Sequence, residues 1–309
     1  MSDAHHHSHD NHGHHHAAPT AGGHGMAFAV AVTLNTAFVV VEVVAGLASG
    51  SMALLADAGH NFGDVLSLLL AWGASILAAR PPSQRFTYGL KSSSILAAIA
   101  NAALLWVALG AILLETIRRF FNPEPSDGST MLLVASIGIA INGLSAVLFA
   151  RGRKTDLNLR AAFQHLLADA AVSAGVVLAG LAIILTGQVW IDPLTSLLIT
   201  LVIGWGSWGL LRDSLRMGML GVPEGVDETA VRAYLSALPG VSAIHDLHIW
   251  PMSTTENAFT AHLVIPGGHP GDAFLHEVAV RLEHDFAIHH ATMQVETGGE
   301  CGLESDGVV

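Results

Sequence analysis

One cysteine, Cys301, occurs in 309 residues. A single thiol excludes a disulfide framework, a multi-cysteine zinc finger and an iron–sulfur site. Charge is scarce too, at 12% of residues. An ordinary soluble domain carries about 25%, so the composition argues against a soluble enzyme. Basic charge is the scarcest, with 13 Lys and Arg against 25 Asp and Glu and a net charge of −12. Nucleic-acid binders need a basic face, so that class is set aside. Hydrophobic residues, in contrast, make up 51%, mean hydropathy is +0.52, and there are 19 histidines. The chain reads as a membrane protein whose partner is a lipid bilayer. The histidines are its unexplained surplus.

Neither charge nor histidine is spread evenly. Residues 1–211 hold 9 basic and 11 acidic side chains, whereas 212–309 hold 4 and 14. Nine histidines precede Met26, two fall within 26–211 and eight follow Leu211. Such breaks mark domain boundaries. The expected division is a His-rich tail at 1–25, an apolar domain at 26–211, a linker at 212–222, an acidic domain carrying histidines at 223–297, and a tail at 298–309. The first segment carries His5, His6, His7, His9, His12, His14, His15 and His16 among Ser, Asp, Asn and Gly. Its low complexity predicts disorder, and its interruptions favour a native metal-collecting tail over a purification tag. The apolar run from Met26 lacks a basic flank and is too long for a signal-peptide core, so no cleaved signal is expected.

A spanning helix needs about 20 apolar residues. Six stretches qualify, at 26–48, 52–79, 93–115, 130–150, 162–186 and 190–211. Ser49-Gly50-Ser51 reads as a tight turn, and Arg80-Pro81-Pro82, Asn122-Pro123-Glu124-Pro125 and Gly187 as breaks. Loops 2–3 and 4–5 and the exit from span six contain nine Lys or Arg, against Arg118 and Arg119 on the other side. The positive-inside rule then predicts both termini in the cytoplasm.

Ionisable groups at bilayer depth are functional candidates by default. Span two offers Asp57, His60 and Asp64; span five offers His165 and Asp169. Positions i and i+4 share a helix face, so each span presents a His-x-x-x-Asp pair. Face to face, the pairs supply two imidazole nitrogens and two carboxylate oxygens, a tetrahedral set suited to Zn2+ and borderline for Co2+ or Cd2+. Duplication in two spans argues against unrelated hydrogen-bonded pairs. Asp57 is expected to support the ligands or a helix end rather than ligate. Asn35 and Glu42, two turns apart on span one, either line the path, pair with span-two groups or make a plain structural contact; Asn101 and Asn142 read as interhelical contacts. A metal binds only deprotonated ligands, and imidazole titrates near neutrality. A site opening alternately to each side would therefore exchange metal for protons.

After Pro223 the pattern is helix, strand, strand, helix, strand. The expected elements are Asp227 to about Leu238, Val241–Trp250, Ala258–Ile265, Asp272–Phe286 and His289–Thr297. A ferredoxin-like α+β domain (αββαβ) fits, and its size is marginal alone, so dimerisation or metal would help it. Alternation places His245 and His262 on neighbouring strands, where a cross-strand pair chelates. As a set, His245, His248, His262, His276, His289 and His290 with Glu296 favour metal binding over a solvated surface.

Together the stretches Ser51-Met52-Ala53-Leu54-Leu55-Ala56-Asp57-Ala58-Gly59-His60-Asn61-Phe62-Gly63-Asp64, Arg85-Phe86-Thr87-Tyr88-Gly89, His165-Leu166-Leu167-Ala168-Asp169 and His245-Asp246-Leu247-His248-Ile249-Trp250 resemble the cation diffusion facilitator family, in its zinc-exporting branch. The resemblance runs from about Met26 to Thr297. It implies a homodimeric zinc/proton antiporter in a bacterial inner membrane, with Zn2+ carried by His60, Asp64, His165 and Asp169. Relatives with Asp for the histidine in span two or five differ in metal range, and manganese and iron exporters commonly use such oxygen-rich sites, so the resemblance with His-Asp in both favours zinc. The resemblance also implies cytosolic metal at His245, His262, His289 and Glu296, with His276 as a further ligand. Zn2+ would then be both cargo and regulator, without an organic cofactor.

Three departures from the family pattern stand out. Ser92-Ser93-Ser94 replaces a stretch that is usually acidic, so a charge contact is expected to be missing there. Loop 2–3 lacks histidine, against an interfacial metal site. Loop 4–5 lacks a His-rich insert, a role the N-terminal tract would take over. The rival readings are a membrane-anchored zinc sensor, an exporter chiefly of Cd2+, Co2+ or Ni2+, and a six-span metalloenzyme. The last is weakest, because a four-ligand site leaves no open position for substrate.

Overall fold

The structure is a computed structural model that describes residues 25–150 and 157–298, with side chains from 33–147 and 163–298. Six long helices come first: α1 (Gly25–Ser49), α2 (Met52–Ala78), α3 (Ser93–Phe121), α4 (Gly128–Ala150), α5 (Leu157–Thr186) and α6 (Ile191–Gly218). Then follow α7 (Glu228–Ser236), β1 (Ala243–Pro251), β2 (Asn257–Val264), α8 (Asp272–Phe286) and β3 (Ile288–Glu296). Five of the long helices, α2 to α6, are long and apolar enough to cross a membrane, and α1 contributes an apolar stretch at Thr33–Ser49. Large apolar side chains such as Val44, Leu47, Val107, Leu144 and Trp205 stand exposed on these helices. Unpartnered surface of that kind needs a lipid solvent. The chain is an integral membrane protein.

The described residues form two compact units, and the division does not follow chain order. Residues 25–72 and 100–211 make one, and 73–99 with 212–298 make the other. In the first, Phe38, Ala53, Leu54, Ala56, Leu109, Met131, Val134, Val176, Ile199 and Ile203 share a continuous apolar core. The α1–α2 turn is as tight as the glycine predicts. Gly50 has φ 65°, and the amide of Ser51 donates back to Gly46 O at 3.0 Å. Gly46 lies so close to α2 that a Cβ there would meet the Leu55 side chain at 2.9 Å. At the start of α4, Asp127 accepts from the Ser129 amide at 2.9 Å and the Thr130 hydroxyl at 2.6 Å. Those bonds hold its carboxyl below the usual carboxylate range, the Thr130 bond contributing most.

In the second unit, Asp227 caps α7 through the amides of Thr229 and Ala230. The sheet order is β1-β2-β3, antiparallel between β1 and β2 and parallel between β2 and β3. A parallel pair needs a crossover, and α8 supplies it. Val231, Leu235, Phe259, Leu263, Val278, Leu282 and Ile288 form the core beneath the helices. The segment after α2 belongs to this unit. Lys91 pairs with Glu256, the Ser92 hydroxyl donates to Met252 O at 3.2 Å, and the Thr254 amide donates to Ser94 Oγ at 3.1 Å. At Ser92, Ser93 and Ser94 the contacts are neutral hydrogen bonds in place of an acidic contact, and the Lys91–Glu256 pair is a separate contact beside them.

Candidate metal centre

Two glycines aim the His60 and Asp64 face of α2. A Cβ at Gly59 would meet Ile112 at 3.0 Å, and one at Gly63 would meet Leu105 at 3.1 Å. α3 therefore lies along the glycine stripe, and the adjoining stripe of His60 and Asp64 is turned to α5. There it meets His165 and Asp169. His60 Nε2 is 3.2 Å from Asp169 Oδ1 and 3.9 Å from Asp64 Oδ2. His165 Nε2 is 3.2 Å from Asp64 Oδ2 and 3.5 Å from Asp169 Oδ2. The two rings stand edge to face, with centroids 6.0 Å apart. Donor atoms of His60, Asp64 and Asp169 all lie within 4.8 Å of one another, a cage of the dimension a divalent cation bonds across.

Around this cage lie two buried carboxylates. Asp57, fully buried, accepts from the Ser173 hydroxyl at 3.0 Å. Glu42, fully buried on α1, accepts from the Asn61 amide at 2.9 Å. Glu42 thus pairs with a span-two group, one of the alternatives open from the residues. Asn35 is half-buried two turns earlier on α1. Ser173 and Asn61 had no place in the sequence reading. The signal for Ser173 was its spacing, one further turn along the His165 and Asp169 stripe.

A second cluster gathers on the sheet. β1 and β2 pair His245 with His262 in register, and β2 and β3 pair Val264 with Glu296. His245 Nε2 is 3.0 Å from Glu296 Oε2, His262 Nδ1 is 3.0 Å from Glu296 Oε1, and the two rings are 4.9 Å apart. The hydrogen bond with His245 holds the Glu296 carboxyl below the usual carboxylate range. Two imidazoles and a carboxylate suit Zn2+. Asp246 joins them unforeseen. A bulge between His245 and His248 puts it at φ 51°, where its carboxylate reaches His248 Nε2 at 2.7 Å and His262 Nε2 at 3.4 Å. Aspartate adopts this left-handed conformation more readily than most residues, and here the bulge uses it to turn the carboxylate toward the two imidazoles.

The other expected cytosolic ligands do not join this cluster. His289 is exposed at the opposite end of β3 from Glu296, its Nδ1 accepting from the Asn257 amide at 3.3 Å. Seven residues of strand, at about 3.3 Å each, separate the two positions. His276 is exposed on α8. The physical reason is strand direction: β3 runs parallel to β2, so only its C-terminal end lies beside His262. The tail histidines His5, His6, His7, His9, His12, His14, His15 and His16 fall outside the described residues.

Comparison with known proteins agrees with this organisation. The cation efflux transmembrane domain matches residues 28–217, and the cation efflux protein cytoplasmic domain matches 223–298. The zinc transporter ZitB of Escherichia coli (strain K12) is 37% identical over 87% of this chain and 88% of its own. A cadmium, cobalt and zinc/H(+)-K(+) antiporter of Bacillus subtilis (strain 168) is 33% identical over 87% and 88%. The metal cation efflux system protein CzcD of Cupriavidus metallidurans is 34% identical over 94% and 89%. With two domain matches in the family's order and relatives aligned over nearly their whole lengths, the chain belongs to the cation efflux family, the cation diffusion facilitators.

Proposed function

We propose that this protein exports a divalent cation, chiefly Zn2+, from the cytoplasm in exchange for protons. The observation that carries the reading is the meeting of His60, Asp64, His165 and Asp169 between α2 and α5. Two nitrogen and two oxygen donors match the borderline softness of zinc. The donors bind metal only when deprotonated, so protons and Zn2+ compete for the same atoms. Each opening toward the opposite compartment then trades one for the other. Asp57 and Glu42 stand behind the ligands, orienting them through α2, and Asn35 lies toward the path.

The excess of Lys and Arg in loops 2–3, 4–5 and after α6 supports cytoplasmic termini, and the bacterial relatives support the inner membrane. The C-terminal unit is read as a ferredoxin-like domain from its αββαβ order, with residues 212–222 as linker, and as the homodimer contact. Its His245, His262 and Glu296 form a regulatory cytosolic zinc site. Residues 1–25 are assigned the capture of metal for the site. A broader cargo that includes Cd2+ and Co2+ is favoured by the similarity to the Bacillus subtilis relative, a cadmium, cobalt and zinc/H(+)-K(+) antiporter.

The test is flux in proteoliposomes, with Asp64→Ala and Asp169→Ala beside the parent. Loss of zinc uptake with intact insertion is expected in both. Retained uptake would overturn the site. A sensor, in contrast, would insert and bind zinc while carrying none.

A further inference from the structure

Asp192 lies in the first turn of α6, yet its hydrogen bonds run to α2. Its Oδ1 accepts from the Ser51 hydroxyl at 2.6 Å and from the Ala53 amide at 3.1 Å, and its Oδ2 accepts from the Met52 amide at 2.8 Å. Ser51 Oγ in turn accepts from the Leu54 amide at 3.2 Å. The first amides of a helix have no partner within it. Here one carboxylate and one hydroxyl satisfy three of them. Asp192 and Ser51 are both buried. A buried carboxylate is costly unless compensated, and the positive ends of two helices, α2 and α6, compensate this one.

The same turn is gripped from two other helices. The Arg119 guanidinium of α3 donates to the Gly50 carbonyl, and the Asp127 amide, preceding α4, donates to Ser49 O at 3.0 Å. Burial follows the latch. Met52, Ala53, Leu54, Ala56, Asp57 and Ala58 on α2 are all closed off, whereas the side chains of His60, Asp64 and His165 remain 20%, 26% and 18% accessible. The metal cage is therefore sealed toward the α1–α2 turn.

We infer that Asp192 is a positioning residue for transport: its carboxylate keeps the α1–α2 turn shut over the metal cage. Metal passes toward that end when the hydrogen bonds from Asp192 to α2 part. Asp192 touches no metal and acts through α2. The inference rests on reading the His60, Asp64, His165 and Asp169 set as the transport site.

The test uses the full chain in sealed vesicles, with Cys301→Ser removing the native thiol and Ala56→Cys as reporter. Ala56 is fully buried one turn before His60. Zinc uptake by this reporter parent is measured first and answers for the transport reading alone. A membrane-impermeant maleimide is then applied from each side without metal. The parent reacts slowly from the side of the α1–α2 turn. Asp192→Ala is expected to react about tenfold faster or more from that side only, the scale of lost hydrogen bonds to a charged group. Ser51→Ala, losing one such bond, is expected to react a few-fold faster. Unchanged labelling, or an equal rise from both sides as general loosening would produce, overturns the inference. Where Asp192→Ala does not insert, Ser51→Ala decides.

Discussion

His60 Nε2 lies 3.2 Å from Asp169 Oδ1 on α5, closer than the 3.9 Å to Asp64 on its own helix. His165 repeats the pattern, 3.2 Å from Asp64 and 3.5 Å from its own Asp169. Each imidazole thus has its nearest carboxylate across the helix pair. The crossed arrangement ties α2 to α5 through the same atoms that are proposed to hold cargo. Loss of one ligand leaves a carboxylate or an imidazole of the other helix short of a partner.

On the proposed site, ligand softness at this cage sets the cargo. His60→Asp replaces a nitrogen donor by oxygen, which favours harder ions. The expected outcome is reduced zinc flux with gained manganese flux, read in proteoliposomes with competing metals. An unchanged order of preference would remove His60 from the selective set.

Asp246 connects His248 to His262 beside Glu296. Groups that orient metal ligands typically contribute about 10–100-fold in affinity. Asp246→Ala is expected to weaken zinc binding at the cytosolic cluster within that range. It should leave zinc binding at the membrane cage in place. Equilibrium binding beside a Glu296→Gln control separates the two sites.

Asp127 holds the start of α4 through Ser129 and Thr130. Removal of a helix N-cap costs roughly 0.5–2 kcal/mol, and Asp127→Ala should destabilise the protein within that range at pH 7. The carboxyl is held below its usual range in the fold. Its contribution is therefore full above the ordinary carboxylate pKa, near 4, and is lost as pH falls through the lowered folded value. Thermal unfolding of parent and variant should converge on acidification, and a gap that widens would contradict the capping role.

The tail of residues 1–25 is assigned a collecting role. Its deletion is expected to reduce uptake at low zinc while leaving uptake at saturating zinc unchanged. An unaltered concentration dependence would reject the assignment.

Much of this organisation was legible along the chain because it depends on local order. Runs of apolar residues long enough to span a bilayer and the breaks at Gly50, Pro81 and Gly187 are one-dimensional signals. Strand alternation near His245 and His262 is another. The i, i+4 spacing of His60 with Asp64 and of His165 with Asp169 follows from helix pitch alone. Asp246 was read past because a bulge changes the alternation by one residue, and nothing local announces it. The resemblance grouped His289 with Glu296, although a strand holds positions seven residues apart at opposite ends.

Residue order thus carried the class of molecule, its helical spans and the two His-x-x-x-Asp pairs that meet between α2 and α5. Each of those properties is written in composition or in a periodicity of two or 3.6. The tertiary structure decided which carboxylate each imidazole meets. It also decided that Asn61 and Ser173 hold Glu42 and Asp57, and that Asp192 caps a helix 140 residues before it. Those choices depend on how helices approach one another. Contacts such as Gly59 against Ile112 and Gly63 against Leu105 set that approach, and no spacing within one helix encodes the neighbour it will face.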